Sequence, residues 1–385
     1  MTRIIREQDD LNERQARVVA AALRAAYAWS VRQRQPDAMR EIARMTGVMM
    51  EAHGPGRGPT SPMQLVEQLR RPLGTLLRFA SDTDTEVTDV VLLDTNDALS
   101  DDAIGVAAEY ATPLSQVFAT SQWLPGWTRM RAEQLRREVF TSLIEAGDAA
   151  GYVRARRFLV EHPAGFRARL QDLLREADAR LAARYRDLAS DQQYPRPVGR
   201  WWWPCPRCRW PMTVRGMTVR CRYRPHGAIF HIADNSRPAA APRLVPVRDA
   251  SSMGTARKAG PAARSVEDAV CVEEEVWRSV VVPGANEVRL ADELCALGAK
   301  VALWPELDSY DLDVAVGSLR MLLDVKEYTS VRRLIDDLRE RPPRAQILLP
   351  RSHEHQEALL AEQSSVRVTT ETKVRRAVRR AAREA

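Results

Sequence analysis

The chain has 385 residues, 45% of them hydrophobic, too many for one ordinary domain and enough apolar material for two or three cores. Its 58 Lys and Arg outnumber its 51 Asp and Glu, and the resulting formal charge of +7 favours a polyanionic partner. A charged opening (MTRIIREQDDLNERQ) and no run near the ~18 apolar residues of a membrane span argue against membrane insertion and for a cytoplasmic location; five cysteines in such a setting argue against a disulfide framework.

Residues 1 to about 195 are rich in Ala, Leu, Arg and Glu with helical periodicity, and predict an α-helical domain. Caps place helices from Asn12 to about Arg34, from Asp37 to Ala52, from Ser61-Pro62 to about Ala80, and from Ser100-Asp101-Asp102. Three more helical stretches run from Thr128 to Ala189, interrupted at Gly147 and His162-Pro163, and Val87–Leu93 is a candidate strand. The arginines of these helices, among them Arg131, Arg136, Arg137, Arg154, Arg156 and Arg157, alternate with acids and read as a solvated scaffold face. This half shows no repeat, nucleophile motif, P-loop or dinucleotide fingerprint, and its expected role is recognition or assembly.

The composition changes at RPVGRWWWPCPRCRWPMTVRGMTVRCRYRPHGAIFHI, residues 196–232. Cys205 and Cys208 form a Cys-x-x-Cys knuckle, a hairpin centred on Gly216 follows, and Cys221 supplies a third thiolate. His226, separated from Cys221 by four residues, is the expected fourth ligand of a structural Zn²⁺, with His231 as its rival. A redox reading of the knuckle leaves Cys221 unexplained and lacks a βαβ context. Arg196, Arg200, Arg207, Arg209, Arg215, Arg220, Arg222 and Arg224 run through this module without an acid, interleaved with Trp201, Trp202, Trp203 and Trp210. These tryptophans either stack on nucleic acid or form the module's own core. A Pro-, Ala-, Ser- and Gly-rich segment then reads as a linker, giving expected boundaries of 1–195, 196–234, 235–265 and 266–385.

After the linker, Val272–Val282 is strand-like and leads through Pro283-Gly284 into a helix marked by Glu287, Leu290, Ala291, Leu294 and Leu297, which Gly298 ends. A strand at Val301–Trp304 follows, then strict alternation from Asp311 to Val316, a Gly317-Ser318 turn suited to a two-residue hairpin, and a strand from Leu319 to Lys326. Pairing Val316 with Leu319 sets Asp313 opposite Leu322 and Asp311 opposite Asp324, with Lys326 on the same face. Facing carboxylates repel unless a cation lies between them, and hard oxygen ligands favour Mg²⁺ or Mn²⁺. Ser330–Arg341 is an amphipathic helix, Ala345–Leu349 a short strand, and the segment from Thr370 a helix with Lys373, Arg376, Arg380 and Arg383 in a basic stripe.

Glu287, Asp311 and Asp324-Val325-Lys326, on a helix and a hairpin, resemble the PD-(D/E)xK restriction-endonuclease superfamily over about Glu275–Leu349, with Tyr310 at the motif's proline and Asp324 where Glu is common. With the Cys-x-x-Cys module and the helical half, the chain resembles the endonuclease encoded beside PIWI-like proteins in pPIWI-RE systems. The resemblance implies an αβββαβ core inside a multidomain α plus α/β protein, and Mg²⁺-dependent hydrolysis, of DNA, by Glu287, Asp311, Asp324 and Lys326. It also implies a PIWI-like protein and a DinG-type helicase as partners in defence against invading DNA. A non-catalytic nucleic-acid-binding adaptor and a zinc-stabilised interaction scaffold are the rival readings.

Overall fold

A computed structural model describes residues 2–54, 56–77, 85–109, 149–179, 185–223, 226–233, 240–247, 260–328 and 330–384. The chain divides into two compact units, Met1–Glu133 with Tyr328–Glu340, and Gln134–Glu327 with Arg341–Ala385. These do not follow the linear boundaries expected from composition, because the segment joining two strands of the second unit is grouped with the first. Among the described residues, no helix is long and apolar enough to cross a membrane.

In the first unit α1 (Thr2–Val31), α2 (Ala38–His53), α3 (Pro62–Leu69) and α4 (Asp101–Glu109) enclose a core of aliphatic side chains. On α2, Ala38, Ile42, Met45, Met49 and Ala52 recur at helical spacing and all are buried. The expected caps are present: Ser61 Oγ accepts from Gln64 N at 3.3 Å, and Ser100 Oγ accepts from Ala103 N at 3.0 Å. However, α1 starts before Asn12 and α3 ends well before Ala80, at Leu69. Val87–Leu93 holds one helical turn (Thr85–Thr88) and isolated bridges at Val91 and Leu93 rather than a strand. The helices expected between Thr128 and Gly147, with Arg131, Arg136 and Arg137, lie outside the described residues.

Among the described residues the second unit begins with α5 (Ala149–Glu161), which stops before His162-Pro163 as Pro163 demands. Residues 164–195 are not purely helical: beside α6 (Arg167–Glu176) they hold the short strands β1 (Ala164–Phe166), β2 (Tyr185–Asp187) and β3 (Tyr194–Pro195). Such two- and three-residue strands have no room for a readable alternation; their partners define them. β4 (Arg200–Trp202) pairs with β3, and β5 (Thr213–Arg215), β6 (Thr218–Arg220), β7 (Ile229–Ala233) and β8 (Arg243–Pro246) form an antiparallel sheet. Thus the segment expected to be a linker contributes β8 to that sheet and β9 (Arg264–Ser265) beside β4; its residues 235–239 and 248–259 lie outside the described set.

β10 (Ala269–Val272) sits between β1 and β2, and of the stretch expected to be extended only Val272 is in the strand, Glu274–Val282 being helical. A turn at Glu274–Val276 and a π-helical turn at Trp277–Val281 run into α7 (Val282–Ala296). The run Val280-Val281-Val282 is apolar because this helix is buried, and an unbroken apolar run cannot by itself separate helix from strand. β11 (Lys300–Leu303), β12 (Leu312–Val316) and β13 (Leu319–Val325) form an antiparallel meander. A parallel partner needs a crossover, supplied by α8 (Val331–Glu340) before β14 (Gln346–Leu349), and by α9 (Glu357–Gln363) before β15 (Val368–Thr370). α10 (Glu371–Glu384) closes the chain. One apolar core runs from Tyr152 and Leu159 on α5 through Trp203, Trp210 and Trp277 to Leu312, Leu323 and Val378.

Candidate active site and metal centre

The hairpin has the expected register: Val316 pairs with Leu319 and Asp313 with Leu322, and Gly317 takes the positive φ (+52°) that a primed turn requires. Regular pairing ends at Leu312 and Leu323, one step before Asp311 meets Asp324. There Asp311 N donates to Leu323 O at 3.1 Å, and Asp311 Oδ2 accepts the backbone N–H of Val325 at 2.7 Å. Lys326 Nζ lies 3.0 Å from Asp324 Oδ1. Burial, then the charges of Glu287 and Asp324, push the Asp311 carboxyl well above the usual range, against Lys326.

Glu287 on α7 is buried, and its Oε2 accepts from Trp304 Nε1 and, at 3.1 Å, from Arg156 Nη2. Arg156 also donates to Tyr152 Oη at 3.0 Å, ion-pairs with Asp308, and places its guanidinium 4.4 Å from the centroid of the Trp304 ring. Burial opposes its charge, but Glu287 and Asp308 outweigh that and hold it above its ordinary value. Arg156 is therefore not part of a solvated scaffold face. The sequence did carry a signal, since Tyr152, Arg156 and Leu159 share one stripe of α5 that is otherwise apolar.

Asp308 reaches Arg156 from an unusual turn: Trp304, Glu306, Leu307 and Asp308 all have φ between +50° and +73°. Such conformations cost about 1–3 kcal/mol each in non-glycine residues and persist where surroundings impose them. The ion pair to Arg156 and the bond from Trp304 N to Asp311 O (2.8 Å) do so here. The helices carrying Arg156 and Glu287 approach closely at Gly284, where an added Cβ would lie 2.4 Å from Val160 Cγ2.

The second constellation is Cys205, Cys208, Cys221 and His226, all buried, whose ligand atoms lie within 4.8 Å of one another. Among the described residues no other group of three or more His, Cys, Asp or Glu comes so close; Glu287, Asp311 and Asp324 are more widely spread. Cys208 Sγ and Cys221 Sγ are 3.9 Å apart, and His226 Nδ1 is 3.6 Å from Cys205 Sγ and 3.4 Å from Cys221 Sγ. A tetrahedral ion with bonds of roughly 2.3 Å to sulfur and 2.0 Å to nitrogen spans about 3.8 Å between sulfurs and 3.5 Å from sulfur to nitrogen. The cluster can therefore hold a metal such as zinc. His231 lies exposed on β7 and takes no part.

Arg209, at φ +59°, makes the tight turn of the knuckle, Arg207 N donates to Cys205 Sγ at 3.4 Å, and Trp277 Nε1 to Cys208 Sγ at 3.3 Å. Trp277 stacks on Trp210, with centroids 4.4 Å apart. Trp202, Trp203 and Trp210 are almost fully buried, so they form the module's core rather than an exposed stacking surface.

Residues 284–385 match the family model described as REase associating with pPIWI_RE, and residues 14–166 match pPIWI_RE three-gene island domain Y. The chain resembles the endonuclease of pPIWI-RE systems. No curated protein and no solved structure gives a significant match. The REase match begins within α7, just before Glu287, and takes in the hairpin and the three C-terminal helices; the domain Y match ends in β1 and so takes in Arg156.

Proposed function

We propose that the protein is a metal-dependent endonuclease that hydrolyses phosphodiester bonds of DNA and works in a pPIWI-RE defence system with a PIWI-like protein and a DinG-type helicase. One observation carries the reading: a charge imbalance around Asp311. Beside the buried Asp311 the charges of Glu287, Asp324 and Asp308 oppose its ionisation more than Lys326 favours it, and a divalent cation bound there would offset that repulsion. Oxygen donors of this kind suit Mg²⁺ or Mn²⁺.

In this reading Asp311 and Asp324 are the metal ligands. The bound ion supplies Lewis-acid polarisation of the phosphoryl oxygen and a water of lowered pKa. Lys326, held beside Asp324, orients the attacking water or neutralises charge on the phosphate in the transition state. Glu287 closes the site from α7, and Arg156 with Trp304 fixes its carboxylate. In the Cys205–His226 module a structural Zn²⁺ is the proposed ion.

The test is incubation with supercoiled, linear and single-stranded DNA in Mg²⁺, Mn²⁺ or chelator. Asp311→Asn, Asp324→Asn and Lys326→Ala should each abolish nicking. Asp313→Asn should not, because Asp313 faces Leu322 and is tied to Arg320 at 2.7 Å, away from the ligands. If Asp313→Asn is inactive while Asp311→Asn cuts normally, the ligand assignment is wrong; if all four cut like wild type, the nuclease reading is.

A further inference from the structure

The carboxyl ends of β13, β14 and β15 lie at one edge of the sheet, since Val325 pairs with Leu348 and Leu349 with Thr370 in parallel register. Asp324 lies near the end of β13 there and Lys326 just beyond it, with Arg351 just after β14 and α10 just after β15. In open sheets of this kind ligands bind outside the carboxyl ends of the strands.

From that edge α10 runs away along the unit, its apolar face (Val374, Val378) buried. Its opposite face and Arg351 line a cleft of about 460 Å³, built from six arginines with Thr372 and Glu384. Two of the six are committed to structure: Arg375 pairs with Glu293 and Glu371, and Arg351 lies 3.6 Å from Glu371. Arg289 adds a 2.8 Å bond to the buried Glu371, fixing the start of the helix. Among the described residues no carboxylate lies within ion-pair distance of Arg376, Arg379, Arg380 or Arg383, which are exposed. At ~1.5 Å per residue these four guanidinium groups extend over roughly 10 Å.

We infer that this cleft is a track for the phosphate backbone of a duplex nucleic acid, holding the strand that flanks the hairpin rather than the bond being cut. Unpaired guanidinium groups at regular spacing fit phosphate oxygens. No aromatic side chain lines the cleft, so it lacks the stacking platform that single-strand binding uses. The inference rests on the nuclease reading for its substrate, but the binding chemistry does not depend on cleavage.

The experiment measures affinity of the full chain for a short DNA duplex, in chelator, across a salt series. Each phosphate contact adds about 0.9 to the slope of log affinity against log salt. Replacing Arg376, Arg379, Arg380 and Arg383 together by Ala should lower the slope by roughly 3–4 and leave the thermal midpoint unchanged. The same four changed to Lys should keep the slope, as should Arg154, Arg167, Arg169 and Arg175 together changed to Ala, which removes equal charge elsewhere. If the two alanine sets behave alike, or the α10 set binds like wild type, the track is refuted. Single-stranded DNA or anionic phosphatidylserine vesicles showing the larger Arg-dependent loss would refute the duplex assignment. Should the four-Ala protein fail to fold, Arg380→Ala alone, expected to lower the slope by about 1, decides the matter. A normal slope difference in a protein that cuts nothing leaves the track standing and removes the nuclease reading.

Discussion

Replacing Arg156 by Met tests the electrostatic core of the site, because Met keeps much of the volume and removes the charge. Arg156 is 4% exposed, and its Nη2 lies 3.1 Å from Glu287 Oε2. At an effective dielectric constant of about 20, two unit charges at that distance attract by roughly 5 kcal/mol, before the desolvation that burial exacts is subtracted. Removing one partner of a buried pair costs about 3–5 kcal/mol, because the other charge stays buried, and here Glu287 and Asp308 are both left. In a unit of this size that lowers the thermal midpoint by roughly 6–20 °C. The pH dependence separates lost charge from lost packing. Arg156 has a raised pKa and so contributes its stability at every accessible pH, because all of them lie below its unfolded value. In the variant a buried carboxylate left without its cation is costly only while it is ionised, so the gap between wild type and variant should narrow from pH 8 to pH 5. Differential scanning calorimetry of both proteins without divalent metal reads this directly. A gap that is the same at pH 5 and pH 8, or a variant as stable as wild type, would refute the reasoning.

Asp311→Asn should raise the thermal midpoint of the metal-free protein. Its folded pKa lies above the unfolded value, so the ionised form costs stability as pH rises through that window, and Asn never ionises; added Mg²⁺ should stabilise wild type only. Cys208→Ser should release the metal and loosen β5–β8 together with Trp277, checked by elemental analysis and near-UV circular dichroism; wild type without metal when purified free of chelator would sink the assignment. His226→Ala should weaken metal binding while His231→Ala leaves it intact, measured by competition with a chelating dye. Gly284→Ala should cost about 1–3 kcal/mol in denaturant unfolding, since the new methyl on α7 would meet Val160 of α5 at 2.4 Å.

The hairpin was legible because everything that specifies it is local: alternation from Asp311 to Val316, a glycine at the turn, and a two-residue count that fixes register through Leu322. The metal cluster was legible for the same reason, its four ligands falling within 22 residues, although only the structure separates His226 from His231. Arg156 was misread because its partner Glu287 is 131 positions away, and a charge on a helix is ordinarily solvated. The left-handed turn from Trp304 to Asp308 contains a single proline and no glycine, so nothing local announces it; the ion pair to Arg156 holds it. The tryptophans stood open between two roles because burial, which decides between them, depends on partners such as Trp277 and Val272 far along the chain.

The grouping of α8 with the first unit, between β13 and β14 of the second, has a practical consequence for dissecting the protein. The polypeptide enters the second unit, leaves it after Glu327 and returns at Arg341. No single scission therefore yields both halves whole: stopping before Tyr328 leaves the REase-like sheet without β14, β15 and the basic helix, and starting after the domain Y match strips α8 of its neighbours. Moving the REase-like unit into another chain as a cassette would thus require two junctions. Truncated versions that lose an activity of the full chain would report incomplete folding, not the loss of a recruiting domain.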